Sequence, residues 1–231
     1  MKKILLLTDS LGLPRVMPEL INDEWCWTYR LADHYSSVFR FRVVSVPGMD
    51  TNQLMSLVTD YYQTIQADLV IIQVGIVDCY PRAIKKAELS LLLRMPGFLN
   101  RFIHRWVKRN YSWLIAKRGI RYVQPAQFSA NLHRLRQSFP NSKVLVVPIA
   151  PPTKAYVEKN PLIRGAVTDY NNLLATNFPS GYLADCYAEA TDDIFLSDNH
   201  HLSGLGNELV YRAVREALSL EDADSGTWKL I

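Results

Sequence analysis

Ser10, Asp198 and His201 are the residues of this chain whose types and spacing could do covalent chemistry. Ser10 stands in Thr8-Asp9-Ser10-Leu11-Gly12, a turn-forming cluster that cuts off the apolar run from Ile4 to Leu7. Such a run suits a buried strand, so the hydroxyl is presented at a strand end. Open α/β sheets place their ligand sites at the carboxyl edge of the strands. A serine is a weak nucleophile until a base takes its proton, and that base works best when a carboxylate holds its other nitrogen. Asp198-Asn199-His200-His201 offers a carboxylate three residues before an imidazole. The same spacing also serves an ordinary loop hydrogen bond, and Ser10 at a strand end is what tips the reading toward catalysis. The other histidines, His34, His104 and His133, fall in helical stretches and read as structural or surface groups. Asp192, Asp193, Asp198, His200 and His201 form a dense set of metal-capable residues. Adjacent histidines are poorly spaced for one ion, however, and no helical His pair accompanies them, so no metal is assigned.

These groups need a scaffold. Arg40 to Val46 reads as a strand ending at Pro47-Gly48-Met49-Asp50-Thr51-Asn52, and Asp68 to Val74 as a continuous β-branched strand of the buried parallel kind. The latter ends in Gly75-Ile76-Val77-Asp78-Cys79-Tyr80-Pro81-Arg82. Ser142 to Ile149 predicts another strand, and Tyr182 to Asp185 a short last one. Helices are predicted at about 22–35, 52–66, 168–176 and 203–219, the last from Leu205, Leu209, Val210, Val214 and Leu218 at helical spacing. The closing dozen residues read as a polar tail. Alternating strand and helix is the rhythm of βαβ units. It predicts an α/β three-layer αβα sandwich around a mostly parallel sheet of about five strands, with residues 1–231 as one domain.

The rhythm breaks at about 83–122, read as a basic, aromatic-rich helical pair inserted into the domain. Between Lys85 and Arg121 there are ten Lys or Arg and one acid, Glu88. The chain has 26 basic and 22 acidic residues, which leaves 16 against 21 elsewhere, so the whole positive excess sits in this insertion. The segment is either an amphipathic hairpin with solvated cations, a lid, or a surface for an anionic ligand or a membrane. No nucleic-acid-binding motif accompanies it, so nucleic acid is not expected as a partner. Cys26, Cys79 and Cys186 are isolated, which predicts a reducing, cytoplasmic setting. The apolar run after Lys2-Lys3 is too short for a secretory signal, and no apolar stretch could span a membrane.

The blocks quoted above, taken together, resemble the SGNH (GDSL-like) hydrolases. Asp9-Ser10-x-Gly12 resembles the nucleophile block, with Thr8 where the family has glycine. Gly48 matches the second block, Gly75-Ile76-Val77-Asp78 the Gly-x-Asn-Asp block, and Asp198-Asn199-His200-His201 the terminal Asp-x-x-His. The resemblance implies a flavodoxin-like fold, Ser10 as nucleophile, His201 as base, Asp198 as its orienter, the Gly48 amide in the oxyanion hole, and no cofactor. The family's oxyanion asparagine falls on Val77, which has no donor. Asn52, Asn199 or Arg82 could replace it, or the Ser10 and Gly48 amides suffice. The version running to Arg82 also resembles a branch associated with bacterial surface-polysaccharide synthesis.

The resulting expectation is a serine esterase for small acyl esters, O-acetyl groups on carbohydrate among them, with Gly48, Asn52, Gly75, Asp78 and Arg82 around the substrate. Acyl transfer to a sugar hydroxyl would use the same residues. A sugar- or partner-binding module on a disabled hydrolase fold is the non-enzymatic alternative.

Overall fold

The computed structural model describes residues 1–225. In chain order it contains β1 (Lys2–Thr8), α1 (Trp27–His34), β2 (Phe39–Ser45), α2 (Thr51–Asp60), β3 (Leu69–Gln73) and α3 (Ile76–Cys79). Then follow α4 (Lys86–Leu93), α5 (Gly97–Arg109), α6 (Tyr111–Arg118), α7 (Pro125–Ser138), β4 (Lys143–Val146), α8 (Lys154–Lys159), α9 (Ile163–Asn177) and α10 (Gly204–Ser225).

The strands form one parallel sheet in the order β2-β1-β3-β4. Side chains alternate across a strand, and here both faces are covered. Leu5, Leu7, Val70, Ile72 and Val146 pack into one core with Met55, Val58, Phe128, Leu132 and Val167 of α2, α7 and α9. Ile4, Leu6, Ile71 and Leu145 pack into the other with Trp27, Leu31, Val210 and Val214 of α1 and α10. This is the three-layer sandwich the strand–helix rhythm predicts. A strand buried on both sides has no polar face, which is why β1 and β3 read as unbroken apolar runs. The chain leaves β1 toward β2 on one side and returns to β3 on the other, so the strand order reverses beside β1. Ligand sites of open α/β sheets lie at that reversal.

The predicted strand at Tyr182 to Asp185 is reduced to a single parallel bridge between Val146 and Tyr182. Gly181 is pressed against β4, so that a Cβ there would lie 1.8 Å from the Val144 carbonyl oxygen. After Leu183 the chain turns into a 3-10 helix over Ala184–Tyr187, which ends the pairing. The first predicted helix starts later than expected, at Trp27, and the last runs past Ser219 to Ser225. Of the predicted polar tail, 226–231 lie outside the described residues. The α7 helix lies in a stretch that carried no assignment.

Between Arg82 and Ile120, whose backbones pair in an antiparallel bridge, stand three helices, α4 to α6, instead of a pair. Asn110 caps α5 and also precedes α6, breaking what the composition suggests is one long helix. Their small core is Ala83, Leu114 and Ile115 with Val107 and Tyr111 packed against it. No helix among the described residues is long and apolar enough to cross a membrane. All three cysteines are buried free thiols.

Candidate active site

Asp9 caps a 3-10 turn over Ser10–Gly12, its Oδ1 accepting the Leu11 N–H at 2.9 Å. The turn holds Ser10 just past the end of β1. A Cβ on Gly12 would lie 2.2 Å from Thr8 Oγ1, so glycine is required there by the threonine packed beneath it. Thr8 Oγ1 in turn donates to Ser45 Oγ at 2.6 Å, and Ser45 and Thr28 both donate to the Gly12 carbonyl. Where the resembling family has glycine at position 8, this chain has a threonine that ties the end of β1 to β2 through Ser45, while Thr28 of α1 holds the Gly12 carbonyl.

The loop before α10 supplies the opposite wall. Asp198 Oδ1 accepts the backbone N–H groups of His200 and His201 at 2.9 and 3.0 Å. Its Oδ2 lies 2.6 Å from His201 Nδ1, and His201 Nε2 lies 3.2 Å from Ser10 Oγ. Burial alone would raise the Asp198 carboxyl, but the hydrogen bonds from His201 and His200 outweigh it and hold the group below its usual range. Burial lowers the His201 imidazole more than Asp198 raises it, with Arg15 adding to the fall. The neutral ring is therefore favoured, with Nδ1–H on Asp198 and the Nε2 lone pair toward the serine.

His200, the adjacent imidazole, sits in a half-buried aromatic cluster with Tyr80 and Tyr156. Its Nδ1 lies 3.3 Å from the Tyr156 hydroxyl, and its ring meets Tyr80 edge-on. Burial, then the neighbouring His201, pushes its pKa down to about 4.

The remaining candidates divide in two. Gly48 (φ 67°) turns the chain three residues after Ser45, which pairs with Thr8 at the end of β1, and nothing stands within 4 Å of where its Cβ would be. Among the described residues, neither the Ser10 nor the Gly48 backbone N–H has a hydrogen-bond partner. Gly75 (φ 120°) starts α3 against Ile149. Asp78 is buried and binds α2, its Oδ1 accepting the Thr51 N–H at 2.9 Å and the Thr51 hydroxyl at 2.5 Å. It thus clamps the Gly48 turn to the end of β3 without touching Ser10. Asn52 turns outward on α2, where its Oδ1 accepts from Asn131 at 2.8 Å. The Asn199 side chain is held by Thr153 and the Ser197 carbonyl. The Arg82 guanidinium lies over the Tyr122 and Tyr80 rings, 3.9 and 4.9 Å from their centroids. No hydrogen bond brings any of these three to Ser10.

Arg15 was not foreseen. Its Nη2 donates to the Ser10 carbonyl at 2.7 Å, from a loop pinned by the Arg15–Ile21 bridge. A cation five residues past the serine was the only signal in the sequence. A depression of about 590 Å³ at the amino end of β4, among His133, Phe139, Lys143 and Gly181, includes none of these candidates.

No protein-family model matches the sequence, and no curated protein does. Solved structures do. The lipase/acylhydrolase from Enterococcus faecalis is similar over 96% of this chain and 97% of its own, with TM-score 0.66 and 13% identity. The acetylxylan esterase from Geobacillus stearothermophilus covers 93% of both chains at TM-score 0.59 and 18% identity. A psychrotrophic esterase from Pseudoalteromonas covers 97% of this chain and all of its own, at TM-score 0.53 and 12% identity. The fold is that of the SGNH-like hydrolases. At these identities the likeness is one of architecture, and any chemistry must be argued from the geometry of Ser10, His201 and Asp198.

Proposed function

We propose that the protein is a serine ester hydrolase for small acyl esters, with O-acetyl groups on carbohydrate as its substrate class. The observation that carries the reading is the unbroken line from Ser10 Oγ through His201 to Asp198. Ser10 Oγ attacks the ester carbonyl while His201 Nε2 takes its proton. The developing oxyanion sits against the Ser10 and Gly48 N–H groups, which have no hydrogen-bond partner among the described residues. Collapse breaks the C–O bond, and His201 returns the proton to the departing alcohol. Water, deprotonated by His201, then attacks the acyl-serine; the acyl C–Oγ bond breaks, His201 returns the proton to Ser10 Oγ, and the carboxylic acid leaves. The chemistry asks for no cofactor.

Val77, buried on α3, offers no side-chain donor. A missing oxyanion donor costs roughly 10²–10³ in rate, so turnover with two backbone donors is expected to be modest. The acyl size is supported by an apolar cavity of about 20 Å³ between Leu11, Ile76, Ile149, Tyr156, Phe195 and His200. That is little more than one water-sized sphere, and Leu11 and His200, the chain neighbours of Ser10 and His201, line it, which supports a short acyl group. The carbohydrate side is supported by acetylxylan esterases of the same fold. Three buried free thiols suit the cytoplasm, where we place the enzyme.

Hydrolysis of p-nitrophenyl acetate by wild type and Ser10→Ala, purified side by side, tests the reading. Wild type should turn over at least about 10³-fold faster, and equal background rates in both would refute a serine mechanism.

A further inference from the structure

The outer face of the insertion carries a dense set of exposed large apolar side chains. Phe98, Phe102 and Trp106 follow one another at i, i+4 and i+8 on α5, so they stand in a row along one face. They are 73%, 67% and 48% exposed. No residue of α5 is fully buried. Leu91 and Leu93 on α4 and Trp113 on α6 are also more than half exposed. Val107, on the opposite side of α5, packs onto the insertion's own small core, so the aromatic row points away from the protein. A cluster of exposed large apolar side chains on so short a segment marks a binding face.

The charges say what the face binds. Arg94, Arg101, Arg105, Lys108 and Arg109 are exposed and have no carboxylate partner among the described residues. The single acid of the segment, Glu88, is consumed by Arg118, Oε1 to Nη2 at 2.5 Å. A second copy of this chain would bring the same cations to the same face, since a two-fold interface is self-complementary in surface. That arrangement repels itself. Aromatic rings and leucines flanked by arginines, with no acid between them, suit the boundary between anionic headgroups and acyl chains.

We propose that α4 to α6 dock the protein on an anionic lipid bilayer, with Phe98, Phe102 and Trp106 entering the interface and the arginines on the headgroups. The inner side of the insertion is joined to the His200 loop by a chain of aromatic contacts. The Tyr111 hydroxyl of α6 lies 2.8 Å from that of Tyr80, Tyr80 stacks on Tyr156 at 5.7 Å, and Tyr156 reaches His200. Docking would thus set the cleft beside the lipid surface. The inference stands on the insertion alone and does not depend on the hydrolase reading.

Sedimentation with phosphatidylcholine vesicles, with and without one-third phosphatidylglycerol, tests it on the full chain. Uptake should be at least tenfold stronger on the anionic vesicles and should fall with salt. Phe102→Ser/Trp106→Ser and Arg101→Glu/Arg105→Glu should each lose about tenfold, with circular dichroism and the thermal midpoint unchanged. Brominated acyl chains should quench tryptophan fluorescence in wild type, and less in Trp106→Phe. Equal uptake on both vesicles, uptake without bromolipid quenching, or a salt-sensitive complex with an oligonucleotide in place of lipid would each overturn it. So would a dimer broken by Phe102→Ser/Trp106→Ser in a protein that ignores vesicles. Ester hydrolysis is not part of the readout, so failure here leaves the proposed activity untouched.

Discussion

His201 must be a neutral imidazole before it can take the proton of Ser10, and its surroundings favour that form. Its burial lowers its pKa below the ordinary value of 6.5, and pairing with Asp198 only partly restores it. The acid limb of kcat/KM reports this ionisation in the free enzyme. It is therefore expected below pH 6.5, with the rate rising as the ring loses its proton and then levelling. A limb above pH 7, measured on p-nitrophenyl acetate, would mean that Asp198 dominates the ring. His200 cannot substitute as the base, since its Nδ1 faces Tyr156 and burial holds it near pKa 4. Substitution of Asp198 by Asn should lower kcat while Ser10 and His201 remain in place, because the tautomer is no longer enforced.

At the scale of elements, the site depends on turns that follow parallel strands. Gly75 combines a positive φ with close packing. Its φ of 120° is strained for any side chain, and a Cβ would lie 2.8 Å from Ile149 Cδ1 and 3.3 Å from Phe128 Cζ. Gly75→Ala is expected to destabilise the fold by roughly 1–3 kcal/mol, read as a lower denaturant midpoint with an unchanged m-value. An unaltered midpoint would show that the end of β3 can relax. Asp78 makes the same turn cooperative with the Gly48 turn through Thr51. Loosening either one should shift the Gly48 N–H, the proposed oxyanion donor, through the Asp78–Thr51 contact.

For the whole molecule, stability carries a pH signature from groups buried in the site. Burial raises Asp9 from 3.8 to about 7, and its Oδ2 has no partner among the described residues. A raised folded pKa means that the native state holds a proton the unfolded chain has released. The Asp9 contribution is therefore full below about pH 4 and is lost as pH rises to about 7. Asp78, raised chiefly by burial to about 6, acts in the same direction. His200, lowered to about 4, acts oppositely, adding stability as pH rises from 4 to 6.5. The Asp9→Asn variant isolates the first effect. Its stability relative to wild type should improve steadily from pH 4 to pH 7 in urea titrations and be constant above. A difference independent of pH would mean that Asp9 stays ionised when buried.

Local pattern determined much of this protein. The runs Ile4 to Leu7 and Leu69 to Ile72 were legible as buried strands because a strand covered on both faces needs apolar residues at every position. Ser10, Gly48 and Gly75 were legible because polar, glycine-bearing turns punctuate those runs. The Asp198–His201 pair was legible because its spacing is local. Other features were decided only by the tertiary structure. Whether Tyr182 to Asp185 is a strand depends on an edge of β4 that Gly181 and the following turn leave almost unpaired. Arg15 acquires its place beside Ser10 from a loop closed by long-range contacts, and Asn52 and Arg82 are drawn away by Asn131 and by two tyrosine rings. Above all, Ser10 and His201 are 191 residues apart in the chain and 3.2 Å apart in space. That distance is set by the sheet order and by α10 packing against α1. It is a property of how the layers close, which no local run of residues encodes.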